Sequence, residues 1–353
     1  LAPLLRTGDA HQYYAMAIAL SEQRPPALTT DEVAAYKAWL ESQPADSGFA
    51  SSVRAIDQPP LIVGGRQEFS HFWFYPLLVA PVIALTNQVD LHPGYAFLVV
   101  NAILLAFALW QVQRAYSVVV SLLLLASPLI WFVNKAQVEV FTFSLLCVAM
   151  AQARRGRWLW AALAAAIAST QNAPILLAVA VFWGAALLSR ILTGRGKPVT
   201  PGGVALVLLT TVVGALHPAY YSWRLNVLTP QQLNGGINLH PPTIEKYLAV
   251  LLDLDIGLVP WVPLTGLVAL AGALLIWRRR WVGPGYQPAT SSTSSRTGPD
   301  ASWSATPTSD SWAGAAQSRQ TGSVFNLRLA ALCGVVIGLG FLFVFAQTTN
   351  VNS

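Results

Sequence analysis

Hydrophobic and polar positions along the chain fall into long blocks, not into the short alternations of a soluble domain. Apolar runs occupy about residues 72–87, 95–112, 116–133, 136–152, 158–170, 172–189, 204–222, 258–277 and 327–346. Runs this long and this poor in charge predict helices, and about 20 apolar residues cross the hydrocarbon of a bilayer. Some runs are short, and Pro76, Pro81, Pro128 and Pro174 interrupt several. Broken helices are tolerated at membrane depth where they line a protein cavity. Polar stretches at 1–70, 223–257 and 283–323 separate the blocks. The first contains two shorter helical patterns, at 11–20 and 31–42, the second opened by the start signal Thr29-Thr30-Asp31-Glu32. Pro25-Pro26, Pro44 and Pro59-Pro60 punctuate the rest. Neither pattern is long enough to span a bilayer, so both belong outside the membrane or on its surface. Residues 283–323, rich in Ser, Thr, Gly and Pro, read as a disordered linker.

Composition narrows the class. Of 353 residues, 54% are hydrophobic and only 10% charged, where an ordinary soluble domain carries about a quarter charged residues. A soluble protein of this size could not hide so much apolar surface, and disorder, collagen and a disulfide scaffold fail on the same numbers. The 13 Trp and 10 Tyr suit membrane–water interfaces. The expected fold is all-α: a multi-pass transmembrane helical bundle in the cell inner (plasma) membrane, with an external first loop bearing short amphipathic helices.

A net charge of +6 invites a nucleic-acid reading, but position argues against it. Basic residues cluster at 154–157 (Arg-Arg-Gly-Arg), 190–197 and 278–280, each beside an apolar run. That is the positive-inside pattern, which marks cytoplasmic loops and implies a membrane partner and no nucleic acid. Parity then places 223–257 outside and the linker inside, and 327–346 carries the tail back out. Four apolar runs separate the first loop from Arg154. An external first loop needs an odd number of crossings there, so one run is re-entrant or merged; Pro76 and Pro81 shorten the first. The expected organisation is an external catalytic loop over 1–70, a transmembrane bundle over 71–282 with the external loop 223–257, the cytoplasmic linker 283–323, and a further membrane helix with an external end over 324–353. Leu1 reads as following a missing first helix and Ser353 as falling inside a motif, so the chain is expected to be part of a longer protein. Cys147 and Cys333 lie within apolar runs, which speaks against a disulfide framework or a thiolate metal site.

Asp9 leads the candidate chemistry, in Gly8-Asp9-Ala10-His11-Gln12-Tyr13-Tyr14. A carboxylate at the membrane boundary is partly desolvated, which strengthens it as a base, and its hard oxygens suit a divalent cation. Locally it also reads as a helix N-cap. Glu139 lies in an apolar run, where carboxylates are costly and functional by default; a pair with Lys135, four residues earlier on a helix face, is its structural alternative. His71 sits among aromatics at a helix entrance, where an interfacial role competes with a functional one. His217 and His240 each precede a proline, and no zinc spacing is present. Arg66, Arg224 and Lys246 are external cations suited to a phosphate or to headgroup anchoring. Asp253 and Asp255 flank the return of the second loop to the membrane. Walker, dinucleotide and nucleophile-elbow motifs are missing from the sequence.

The Gly8-Asp9-x-x-x-Tyr13 element resembles the opening of the first external loop in polyprenyl-phosphate-dependent glycosyltransferases of the C-type (GT-C) superfamily, which includes protein O-mannosyltransferases and aminoarabinose transferases. The run from His71 to Pro81, HFWFYPLLVAP, resembles their aromatic, Pro-Leu-rich entry to the next helix. Ser127-Pro128 with Glu139 resembles a small-Pro…Glu segment, and DIGLVPWVP from Asp255 resembles the Gly-Leu-x-x-x-x-Pro element of bacterial members. Thr349-Asn350-Val351-Asn352-Ser353 resembles the start of a further external motif. The resemblance implies a membrane glycosyltransferase that moves a sugar, with inversion, from a polyprenyl-phosphate donor lipid to a glycan, lipid or protein acceptor. It implies Asp9 as the catalytic base or metal-associated carboxylate. His11, Tyr13, Arg66, His71, Glu139, Arg224, Lys246 and Asp255 are the substrate-binding candidates. Many members carry a second acid near the first, whereas here the next is Glu22, which leaves a magnesium or manganese ion at Asp9 an open question. A transporter or lipid flippase without chemistry is the alternative; it would favour internal repeats, and the sequence contains no self-similar halves.

Overall fold

The computed structural model describes residues 8–44, 48–192 and 200–233. The expected spans at 258–277 and 327–346, the linker, Cys333, His240, Lys246, Asp253, Asp255 and the terminal motif lie outside the described residues. Among those described, the chain is mainly helical. In order it forms α1 (Ala10–Ser21), β1 (Leu28–Thr29), α2 (Thr30–Glu41), β2 (Ile62–Val63), β3 (Arg66–Gln67), α3 (Phe74–Asn87), α4 (Gly94–Ala115), α5 (Val118–Leu125), α6 (Glu139–Arg154), α7 (Trp158–Ser169), α8 (Leu176–Leu192) and α9 (Pro201–Leu225). Three of the described helices are long and apolar enough to cross a membrane: α4, α9, and α8 with the turn that leads into it from Ala173.

Local chemistry explains the boundaries. Thr29 and Glu32 form a reciprocal capping box at the start of α2. Thr200 accepts from the Gly203 amide (3.2 Å), and Pro201 follows in the first turn of α9. The run expected over 116–133 does not make one helix. Ser117 caps α5, Ser127 precedes a 3₁₀ turn at Pro128–Phe132, and Pro128 has no N–H with which to continue an α-helix. The first loop differs more. Nine of the twelve residues of α1 are buried, so it is a core helix and not an amphipathic surface one. A small antiparallel sheet in the order β1-β3-β2 also folds there. Its β2–β3 hairpin turns on Gly64 and Gly65, both at positive φ.

Contacts along the helices sort residues to two ends. Asn101, seven residues into α4, meets Tyr75 at the start of α3 and the chain just before α6. Ten residues further, Gln111 meets Arg155 at the end of α6. Helices α4 and α6 therefore run side by side, and α5 packs back along α4 through Ser121 to the Leu109 carbonyl (3.1 Å). The buried helix α7 presents Ala161, Ala162, Ala164, Ala165, Ala166 and Ala168 to its neighbours, and such small residues allow close helix approach. A side chain at Gly214 of α9 would meet Leu176 at 3.0 Å. Outward, Ile103, Leu122, Ile191 and Val212 are exposed on α4, α5, α8 and α9, as a lipid-facing surface requires.

Candidate functional site

The backbone at Gly8-Asp9 sets the site. Gly8 adopts φ +49°, and a Cβ there would come within 2.8 Å of Gln137 Nε2. Glycine thus serves both a left-handed conformation and a close approach to the segment that leads into α6. Asp9 occupies the N-cap position of α1, yet its side chain makes no capping bond. The local expectation of a cap is therefore corrected: Asp9 Oδ2 lies 2.9 Å from His71 Nε2.

His71 is not simply an interfacial histidine either. Its side chain is 21% exposed against 54% for Asp9, and its Nδ1 lies 2.8 Å from the Tyr13 hydroxyl. Burial, followed by the nearby Glu139 and Asp9 charges, raises the Tyr13 pKa well above its ordinary value, so the phenol stays a donor. The His71 ring thus bridges the Tyr13 hydroxyl at Nδ1 and the Asp9 carboxylate at Nε2, where the Nε2–H donates to the carboxylate. Second contacts hold the pieces in place. Gln12 Oε1 accepts from both the Ser70 amide (3.0 Å) and hydroxyl (2.9 Å), which anchors the strand of chain carrying His71 to α1.

Glu139 opens α6 at this same end, close enough to Asp9 and His71 to share their electrostatics. Lys135 is not on its helix; it lies in the turn before α6, with its ammonium 5.0 Å from the Phe132 ring centre, and no ion pair of the described residues joins it to Glu139. That turn is clamped from below by Asn101, wholly buried in α4. Asn101 Nδ2 donates to the carbonyls of Val133 (3.2 Å) and Lys135 (3.0 Å), and its Oδ1 accepts from Tyr75 (2.7 Å). Sequence reasoning passed over Asn101, Tyr75 and Gln137. An asparagine inside a 22-residue apolar helix was the available signal.

The other candidates fall elsewhere. Arg224 is committed to Glu68, a glutamate whose side chain is 3% exposed: Nη2 lies 2.5 Å and Nε 2.6 Å from Oε1, and Tyr220 donates to Oε2 at 2.7 Å. With Tyr221 donating to the Phe69 carbonyl (3.1 Å), this latch ties the first loop to the end of α9. His217 is buried and lies 2.9 Å through Nδ1 from the Thr170 carbonyl. Arg66 sits in β3 and donates to the Ala27 carbonyl at 3.2 Å. His11 is buried in α1, where its carbonyl accepts from Tyr36 at 2.7 Å.

At Asp9 the described ligand set is sparse. Both ring nitrogens of His71 are engaged, and the described residues contain no group of three or more His, Cys, Asp or Glu able to hold an ion. A cavity of about 600 Å³ lies elsewhere, lined by Ala15, Ile18, Glu22, Arg24, Tyr36 and Trp39 among others. Its polar rim is already internally paired, Arg24 joining Glu22 and Glu32, so the chemistry points to Asp9. Comparison of the chain with protein-family models, with curated proteins and with solved structures gives no match.

Proposed function

We propose that the protein is a multi-pass membrane glycosyltransferase that transfers a sugar from a polyprenyl-phosphate donor to an acceptor hydroxyl on the external face of the cell inner membrane. The supporting observation is the Tyr13–His71–Asp9 chain, placed with Glu139 at one end of an apolar bundle and away from the arginine-bearing end. By the positive-inside rule the arginine end is cytoplasmic, and Asp9 is then external. Helix α3 does not cross in this topology. Passes through α4, α5 with its following turn, and α6 give the odd number that an external first loop requires.

In the reaction, the acceptor oxygen attacks the anomeric carbon while the bond from that carbon to the phosphate oxygen breaks. Asp9 takes the hydroxyl proton. The His71 N–H holds one carboxylate oxygen in place, and the half-exposed carboxylate remains accessible to an acceptor. Charge develops on the departing polyprenyl phosphate, where a cation lowers the barrier most. Lys135, whose backbone carbonyl the Asn101 clamp holds, serves here in place of Arg224, whose guanidinium is held by Glu68. Direct displacement inverts the anomeric centre. The test is to incubate the full chain in liposomes with radiolabelled polyprenyl-phosphate sugars and acceptors. The reading requires label in acceptor. Movement of intact labelled lipid across the bilayer without transfer would establish the flippase alternative instead.

A further inference from the structure

At the opposite end of the bundle, charge goes unanswered among the described residues. From Leu91 to Ile244 the sequence contains a single carboxylate, Glu139, and Glu139 lies at the Asp9 end. The described ion pairs all involve residues of the first loop or its latch to α9. Yet Arg114, Arg154, Arg155 and Arg157 gather where α4 and α6 end and α7 begins.

The cluster is built and not merely crowded. Gly156 at φ +72° closes α6 with a Schellman pattern: its amide bonds to the Ala153 carbonyl (2.9 Å), and the Arg157 amide bonds to that of Gln152 (2.9 Å). The turn therefore fixes the backbone of Arg155 and Arg157. Arg155 is held further by Gln111, through Nη1 to Oε1 at 2.8 Å and Nη2 to the carbonyl oxygen at 3.2 Å. Arg114, one turn beyond Gln111 on α4, packs its guanidinium 5.2 Å from the Trp110 ring centre. Desolvation, and then the charges of Arg114 and Arg157, lower the Arg155 pKa from its ordinary value. Arg157 also stands at the N-cap of α7, which has no side-chain cap, so the helix dipole adds to the positive potential.

We propose that Arg114, Arg155 and Arg157 form a binding site for the phosphate of an anionic phospholipid headgroup. Arginine forks match phosphate oxygens, and basic sites between membrane helices suit anionic headgroups. The exposed apolar residues Phe107 and Trp110 on α4 and Val118 and Val119 on α5 flank the site, so acyl chains can lie on the protein while the phosphate meets the arginines. A lipid is therefore favoured over a soluble anion. The inference rests on membrane insertion alone and is independent of the glycosyltransferase reading.

The test measures retention of phosphatidylglycerol against phosphatidylcholine by the full chain, using native mass spectrometry and thermal unfolding in mixed micelles. Wild type should retain phosphatidylglycerol preferentially and melt at a higher temperature in its presence. Arg155→Gln should weaken that binding by about fivefold, the worth of one arginine at an anionic surface, and Arg114→Gln and Arg157→Gln should each do the same. The latter two residues are exposed, so these variants keep the test alive if Arg155→Gln misfolds. Arg54→Gln, an exposed arginine in the first loop, should change nothing. Equal retention of the two lipids, or an Arg54→Gln loss as large as that of Arg114→Gln, would overturn the site. Equal stabilisation by inorganic phosphate without lipid would overturn the lipid assignment.

Discussion

The two ends of the helical bundle handle charge in opposite ways. At the Asp9 end, acids and bases answer one another within the chain: Asp9 with His71, Glu68 with Arg224, Glu22 and Glu32 with Arg24, Lys37 with Asp57. At the other end four arginines gather, and among the described residues no carboxylate pairs with them. An end built of one sign can attract a partner and orient a bundle, but it cannot shuttle a proton. An end that sets a half-exposed carboxylate beside a histidine has the elements of acid–base chemistry. The difference separates the end proposed to hold a lipid headgroup from the end proposed to react.

The comparison breaks most readily at the latch. Removing the Glu68 side chain strands the Arg224 guanidinium, and breaking a buried pair on one side costs about 3–5 kcal/mol. Glu68→Ala should therefore lower thermal stability in detergent sharply, whereas Glu68→Leu with Arg224→Met should recover most of the loss. Equal destabilisation by the single and double variants would show that the pair is not the source.

Asn101→Leu comes next. It removes the clamp on the turn that carries Lys135 and Gln137, and hydrogen bonds between membrane helices are worth about 1–2 kcal/mol each at most. A loss of about 2–3 kcal/mol in thermal unfolding is expected, with reduced sugar transfer. Unchanged transfer would remove that turn from the site.

His71→Gln sharpens the comparison without unfolding the protein. A glutamine keeps one donor but not the linear chain to Tyr13, and misplacing a catalytic group by about 1 Å costs up to about 10²-fold. Transfer should fall at least about tenfold, with thermal stability nearly intact. If stability falls and transfer per folded molecule does not, His71 is structural only.

The smallest effect is expected at the capping box of α2. Thr29→Ala should cost about 1 kcal/mol and leave transfer per folded molecule unchanged. The Thr29 amide bond, first, and the Arg24 pair, later, lower the Glu32 pKa. A depressed carboxylate stabilises above its unfolded value, about 4.3 for glutamate, and that contribution fades as pH falls through the lower folded value. Thermal unfolding between pH 7 and pH 3 should show a shallower acid loss in Glu32→Gln than in wild type.

Much of the architecture was legible because apolar runs leave few alternatives: helices over 74–87, 94–115, 139–154, 158–169 and 201–225 stand where the runs predict them. The break between α5 and the Pro128 turn was visible only as a proline. The sheet was missed because strands of two residues carry no period, although Gly64-Gly65 is a hairpin signal. The depth of α1 was also missed: a 12-residue helix that carries His11, Gln12 and two tyrosines among its alanines looks like a surface element until α3 covers it. At the site, Asp9, His71, Tyr13 and Glu139 were each singled out, but their grouping was not, because Tyr13 and His71 are 58 residues apart. The Arg224–Glu68 pair was not legible for the same reason, since Glu68, 156 residues away, had no local mark as its partner.

The most direct test of the central claim is single-turnover sugar transfer by Asp9→Asn in liposomes, with the folded fraction measured independently. Asparagine keeps the shape of the side chain and can still accept from His71, but it cannot take a proton. The account predicts wild-type thermal stability and a rate loss of about 10²–10⁴-fold, the range for a lost general base. Transfer at more than about a tenth of the wild-type rate, short of the smallest loss expected for a base, would contradict it.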